Sequence, residues 1–211
     1  MEFVKFINRI RVDWSSLSKK NYIKQHSFYF LIFFAYFFIA ILMTYPLITN
    51  ITSFVPCSLP WCDDNWNFIW VFWWFKKSLI DLNTNPLYSN YIFYPEGANL
   101  LFFSSSPFNA ILSVPLQIFF GVIPAYNILV LFAIILNAIG MYLLVNYLTK
   151  DTKASFISGI VFGFSSYNLA RIFYGHINTI SAGFIPLYIL YLLKIFEDLT
   201  IYLEHLMKIK I

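Results

Sequence analysis

The chain has 211 residues, of which 60% are hydrophobic, 22% are aromatic and only 11% are charged. This composition, with a mean hydropathy of +0.69, excludes an ordinary soluble globular protein and favours an integral membrane protein. The net charge of +4 does not indicate a nucleic-acid partner, because the sequence shows neither a basic face nor a glycine-rich phosphate loop. The sequence therefore predicts an all-α integral membrane protein.

Apolar runs predict four membrane-spanning helices, since about 20 apolar residues are needed to cross a hydrocarbon layer roughly 30 Å thick. The first predicted span, residues 27–48, follows a basic N-terminal segment, residues 1–26. It has no cleavage-site pattern, so we expect it to remain as a span rather than act as a removed signal peptide. The other three predicted spans are residues 122–148, 154–170 and 176–193.

The basic residues predict how these spans are oriented. The uncharged segment 107–121 is short and holds Pro115 near its middle, so we expect it to lie at the membrane interface. With that segment at the interface, eleven of the Lys and Arg residues fall inside and three outside, whereas a crossing segment gives seven and seven. The uneven distribution obeys the positive-inside rule. Both termini, including the tail 194–211, are therefore expected in the cytoplasm, and residues 49–121 form an outer loop with amphipathic interfacial helices.

Two adjacent aspartates, Asp63 and Asp64, lie in this outer loop at the start of an aromatic segment, residues 65–75. Asp64 is well placed to cap the following helix. Alternatively, one of the two carboxylates is a general base or a metal ligand, and Asp63 is favoured because Asp64 is needed as the cap. The helix face expected to sit in the lipid headgroup region holds Trp66, Ile69, Trp70, Trp73 and Trp74.

Two further groups of polar residues are candidate binding residues. Glu96 lies in a predicted Pro-Glu-Gly turn of the outer loop and is either an exposed turn residue or a second acidic group of a site. Arg171, His176 and Asn178 lie in the predicted outer turn between the last two spans. Arginine and histidine suit a phosphate oxygen, although Arg171 could also sit at a span end with its charge at the interface.

The only two cysteines, Cys57 and Cys62, are separated by four residues in the outer loop. This spacing allows a disulfide if the loop faces an oxidising compartment, and two unpaired thiols are the alternative. A zinc site is not predicted, because no second pair of ligands lies nearby.

Small residues recur every four positions in the third predicted span, at Ser155, Gly159 and Gly163. Such a stripe lets two helix backbones approach closely in a membrane, so we expect a structural helix contact there.

The order of these motifs resembles the GT-C superfamily of membrane glycosyltransferases, in its bacterial and archaeal branch. The resemblance covers nearly the whole chain. The matching residues are Tyr45-Pro46, Asp63-Asp64 with the tryptophan-rich helix, residues 92–100, Gly121, Tyr126-Asn127, Ser158-Gly159, residues 164–167, Gly175-His176 and Pro186.

The resemblance implies a transferase that uses a polyprenyl-phosphate-linked sugar as donor on the outer face of the cell membrane. It implies an acidic base in the first outer loop, which Asp63 or Asp64 matches, and a divalent metal in some members but not in others. Family members usually have eight or more spans, so we expect this chain to be the N-terminal part of a transferase or to need a second membrane subunit. The alternative is a non-catalytic membrane subunit of a larger complex. A transporter is disfavoured because the predicted spans carry no ionisable groups.

Overall fold

The computed structural model describes residues 19–57, 63–103 and 105–209, and these are almost entirely helical. The elements in chain order are α1 Lys19–Met43, α2 Asp63–Lys76, β1 Tyr88–Ser89, β2 Ala98–Asn99, α3 Pro107–Phe120, α4 Val122–Thr149, α5 Thr152–Gly163, α6 Ser166–Phe173, α7 Ile177–Ile180 and α8 Phe184–Ile209. A π-helical turn, Lys77–Asp81, extends α2, and the two short strands pair antiparallel. The helical fold class is confirmed at this level.

Within the described part of the chain, three helical stretches are long and apolar enough to cross a membrane: Val122–Thr149, Thr152–Phe173 and Ile177–Tyr202. They support a membrane protein. Two other apolar helical stretches, Tyr29–Met43 and Pro107–Phe120, are shorter. The fourth span, the identity of the membrane and the orientation of the termini remain predictions.

Helix limits differ from the predicted spans in the second half of the chain. The span predicted at 154–170 divides into α5 and α6, where the Ser165 hydroxyl caps α6 by accepting the Asn168 N–H at 3.3 Å. In the next span, α7 ends at Ile180, and α8 begins at Phe184 and runs through residues predicted as tail. Apolar composition marks which residues can enter hydrocarbon, but local capping decides where each helix breaks.

The chain divides into two compact units. Unit I comprises Met1–Phe38, Ile135–Gly163 and Ala182–Ile211, and unit II comprises Ile39–Ile134 and Phe164–Ser181. The long helices α1 and α4 contribute residues to both units.

Unit I packs through the small residues of α5. Gly159 and Gly163 are buried, as the predicted stripe requires. A Cβ on Gly159 would overlap the Tyr36 hydroxyl, and a Cβ on Gly163 would lie 2.7 Å from that of Ala138. Tyr36 is fully buried. The close helix contact predicted from the stripe is therefore confirmed.

Unit I also holds a polar cluster at the end of α4. The Tyr147 hydroxyl donates a hydrogen bond to Glu197 Oε2. The amine of Lys150 lies 4.6 Å from the Tyr147 ring centre, and that of Lys194 lies 5.7 Å from it. Burial lowers the pKa of Lys150, the attraction of Glu197 opposes this, and the repulsion of Lys194 adds to it. This cluster thus combines one carboxylate with two cations.

Helix α2 is a core helix of unit II. Phe72 and Phe75 are almost completely buried. Ile69 and Trp74, expected on a face anchored among lipid headgroups, are 6% and 2% exposed, and only Trp66 is widely exposed at 56%. The helical period defines the faces of α2, but the rest of the unit decides which face is covered.

Helix α3 has its polar side inward and its apolar side outward. Asn109, Ser113 and Gln117, spaced four residues apart, are buried. Gln117 Nε2 donates to the backbone carbonyl of Phe72 in α2 at 2.8 Å, whereas Phe119 is 79% exposed. An outward apolar side suits a lipid interface, and a helix of 14 residues is only about 21 Å long. The placement of this helix at the interface remains a prediction.

Candidate functional site

Three of the candidate residues meet in unit II although they are far apart in the sequence. His176 Nε2 lies 2.6 Å from Asp64 Oδ2, across a separation of 112 residues. The other ring nitrogen of His176, Nδ1, lies 2.6 Å from Arg171 Nη1. We call Asp64, His176 and Arg171 the polar triad. A carboxylate, an imidazole and a guanidinium group are thus joined in one hydrogen-bonded chain.

The chemistry of arginine fixes the hydrogen-bond directions in the polar triad. A guanidinium group has only N–H donors and stays charged, so His176 Nδ1 must accept the bond from Arg171. The ring proton then lies on Nε2, which donates to Asp64. In this arrangement the imidazole is neutral. The Asp64–His176 contact is therefore a charge-assisted hydrogen bond to a carboxylate and not an ion pair.

Among the described residues, only one oxygen of Asp64 has a hydrogen-bond partner. Oδ2 accepts from His176, whereas no residue in the described part of the chain makes a hydrogen bond to Oδ1. The Asp64 side chain is 55% exposed and that of His176 is 27% exposed. The polar triad therefore presents a carboxylate that is held on one side and open on the other.

Gly175 determines how closely the two halves of the site approach. Its φ is +78°, and a Cβ at this position would lie 2.5 Å from both Cγ and the backbone nitrogen of Asn65. The turn after α6 consequently rests directly on the first turn of α2, a contact that no side chain would allow. Since Asp64 and His176 each adjoin one of these two residues in the sequence, the same contact brings them together.

A second polar contact lies beneath the polar triad. The Tyr126 hydroxyl of α4 donates to Asn65 Oδ1 at 2.8 Å, and both side chains are buried. Asn65 Nδ2 has no hydrogen-bond partner among the described residues. A buried amide with one bonded end fixes the start of α2 against α4. Sequence reasoning missed Asn65, and the signal available was an amide directly after the acidic pair in an otherwise apolar helix.

The neighbouring residue Asn127 ties down the preceding loop. Its Nδ2 donates to the backbone carbonyls of Ile51 and Phe54, at 2.8 and 2.6 Å. Tyr126 and Asn127 entered the sequence analysis only through the motif pattern. Both residues have a structural role: Tyr126 holds the start of α2, and Asn127 holds the loop before it.

Two predicted binding residues have no described contact with the polar triad. Glu96 is exposed, and its backbone carbonyl accepts from the Tyr88 hydroxyl at 2.5 Å within the strand pair. Asn178 is also exposed, and its side-chain oxygen accepts the backbone N–H of Thr179 at 3.0 Å. Their assignment to a substrate site remains a prediction.

Some predicted residues lie partly or wholly outside the described residues. Asp63 begins α2, but its side chain is not among those described. Asp64 therefore lies within the first helical turn instead of before the helix, and its carboxylate bonds His176 and not a free backbone N–H. Cys57 is disulfide-bonded, while its predicted partner Cys62 lies outside the described residues.

The described residues contain no group of three or more His, Cys, Asp or Glu side chains that could hold a metal ion. Among these residues Asp64 and His176 supply two of the ligands that a metal would need, and a proton occupies Nε2 of His176. The divalent metal predicted at Asp63 and Asp64 stays a prediction, because the side chain of Asp63 is not among those described.

No protein-family model, no curated protein and no solved structure matches the chain. The function must therefore be argued from the polar triad, from the apolar helices around it and from the motif order.

Proposed function

We propose that the chain is a GT-C-like membrane glycosyltransferase, or the N-terminal part of one. It transfers a sugar from a polyprenyl-phosphate-linked donor to an acceptor on the outer face of the cell membrane. The observation that carries this proposal is the polar triad, in which the half-exposed Asp64 carboxylate is bonded through Oδ2 and no described residue bonds its Oδ1. The motif resemblance to GT-C enzymes supports it.

Transfer of the sugar requires one proton acceptor and one stabilised leaving group. As the acceptor nucleophile attacks the anomeric carbon, it loses a proton to the free Oδ1 of Asp64. The bond between the sugar and the phosphate breaks, and polyprenyl phosphate leaves with the bonding electrons. Asp63 is the second candidate base.

The apolar surroundings fit a donor that is carried by lipid. The outward side of α3 and the three apolar stretches that could span a membrane would keep unit II at a lipid surface. A polyprenyl chain stays in that lipid, so its phosphate would meet the protein at the depth of the headgroups.

The proposal is tested with the full chain in lipid nanodiscs and a panel of radiolabelled polyprenyl-phosphate sugars, with release of polyprenyl phosphate as the signal. Asp64→Asn keeps the shape of the side chain but cannot take the proton, so we expect the rate to fall by about 10²–10⁴-fold. Glu197→Gln is the matched control, because it neutralises a hydrogen-bonded carboxylate in unit I. We expect it to keep the wild-type rate.

Two outcomes would count against this function. A wild-type chain that releases no polyprenyl phosphate from any donor in the panel, and that co-purifies with another membrane protein, would favour the non-catalytic subunit. A wild-type rate in Asp64→Asn would show that Asp64 is not the catalytic base. The variant to measure next would then be Asp63→Asn.

A further inference from the structure

We infer that His176 and Arg171 are positioning residues for Asp64, and that His176 is not a ligand of the donor phosphate. The kinetic part of this inference rests on the proposed function. It departs from the expectation raised by the sequence, in which both residues bind phosphate oxygens.

Both ring nitrogens of His176 are already bonded within the polar triad, so neither is left for a phosphate. Nε2 is 2.6 Å from Asp64 Oδ2, and Nδ1 is 2.6 Å from Arg171 Nη1. A phosphate could bind Nε2 only by displacing Asp64, and it could not bind Nδ1, because that nitrogen is an acceptor. Phosphate binding by His176 would therefore dismantle the site that uses it.

Arg171 is itself held in place by interactions within α6, next to the imidazole of His176. It lies in the last turn of α6, where a cation interacts favourably with the helix dipole. Its guanidinium carbon is 5.0 Å from the centre of the Tyr167 ring, a distance suited to a cation–π contact. The bond from Arg171 to Nδ1 selects the tautomer whose Nε2–H faces Asp64.

Close packing fixes the backbone next to both His176 and Asp64. Gly175 leaves no room between the His176 turn and Asn65, and Tyr126 holds Asn65 by its side chain. The imidazole thus has a defined position relative to Asp64. As a consequence, Oδ2 of Asp64 is held by His176, and Oδ1 of Asp64 is the oxygen that accepts the proton.

A positioning residue and a phosphate ligand affect the kinetics differently. Losing a ligand that binds the donor equally in the ground and transition states raises KM, whereas misplacing the base lowers kcat. A displacement of about 1 Å at a catalytic group can cost about 10²-fold in rate. We therefore expect His176→Leu to lower kcat by about that factor and to leave the KM for the donor within about twofold.

The matched variant is His176→Gln. A glutamine carbonyl can accept from Arg171 while its amide N–H donates to Asp64, so the order of donors and acceptors is kept. We expect His176→Gln to recover most of the kcat that His176→Leu loses. Equal loss in both variants, or a raised KM with unchanged kcat, would overturn the inference.

A spectroscopic readout separates this inference from the proposed function. The sequence has three histidines, so the ¹⁵N signals of His176 in labelled protein are identified by their loss in His176→Gln. We expect the Nε2–H tautomer in the wild type and a loss of that preference in Arg171→Met. An Nδ1–H tautomer in the wild type would overturn the inference whatever the activity, whereas the expected tautomer in a chain without turnover would count against the glycosyltransferase alone.

Discussion

Each unit contains a polar cluster in which a carboxylate accepts a side-chain hydrogen bond, and the surroundings of Glu197 and Asp64 differ. In unit I, Glu197 accepts from the Tyr147 hydroxyl, and two lysine amines lie over the ring of that tyrosine. In unit II, Asp64 accepts from a neutral imidazole and its side chain is 55% exposed. A carboxylate accompanied by two cations suits a structural contact, whereas an exposed carboxylate beside a neutral partner can be reached by a proton donor from outside. Under the proposed function, the carboxylate that accepts the proton is therefore the one in unit II.

The largest effect is expected from the predicted orientation of the chain, tested at one position of each unit. In a parent lacking Cys57 and Cys62, Glu96→Cys should be labelled in intact cells by a membrane-impermeant maleimide. Lys153→Cys should be labelled only after the cells are opened, because the basic-residue distribution places it inside. Both positions are exposed in the structure, so accessibility to solvent is matched. Labelling of Lys153→Cys from outside would overturn the predicted orientation.

The next largest effect concerns the contact that assembles the polar triad. Gly175→Ala must place a Cβ 2.5 Å from Asn65, whereas a Cβ added to Gly121, also at positive φ, would meet nothing within 4 Å. Alanine at either position carries a backbone penalty of about 1–3 kcal/mol, and Gly175→Ala adds an overpacking cost of about 1–3 kcal/mol. Thermal unfolding in detergent should therefore show a clearly lower Tm for Gly175→Ala than for Gly121→Ala. Equal Tm values would mean that this contact is loose.

A smaller effect is expected from the hydrogen bond beneath the polar triad. Tyr126→Phe leaves the buried oxygen of Asn65 without its donor, which costs about 1–3 kcal/mol in unfolding free energy. Tyr188→Phe, at a position 67% exposed, is the control and should be close to neutral. If denaturant unfolding gives the same loss for both, the Asn65 contact contributes nothing measurable.

The smallest effect is expected in the unit I cluster. Tyr147→Phe removes the hydroxyl that donates to Glu197, which is only partly buried and can be hydrated instead. We expect a loss of about 0.5–1.5 kcal/mol and no change in the release of polyprenyl phosphate. A fall in turnover comparable with that of Asp64→Asn would remove the distinction between the two clusters.

The sequence by itself determined the class of the protein and much of unit I. The uncharged run that became α4 is long enough to span hydrocarbon whatever it packs against, because transfer into lipid depends on composition and length. The close packing at Gly159 and Gly163 was also predictable, since a four-residue spacing places both on one helix face. The residue types of the site were predictable too, because Asp64, Arg171 and His176 are rare polar groups in an apolar chain.

Only the tertiary structure decided which of these polar groups meet and how. His176 faces Asp64, 112 residues away in the sequence, because Gly175 lies against Asn65. Whether such a contact forms depends on shifts of a few tenths of an ångström in the packing of the two segments. The same holds for Trp74. Its helix face predicted a place among the lipid headgroups, but the fold buries it, and its indole N–H donates to the Pro86 carbonyl at 3.0 Å. Periodicity and composition describe each segment alone, whereas the partners of a side chain follow from how segments pack.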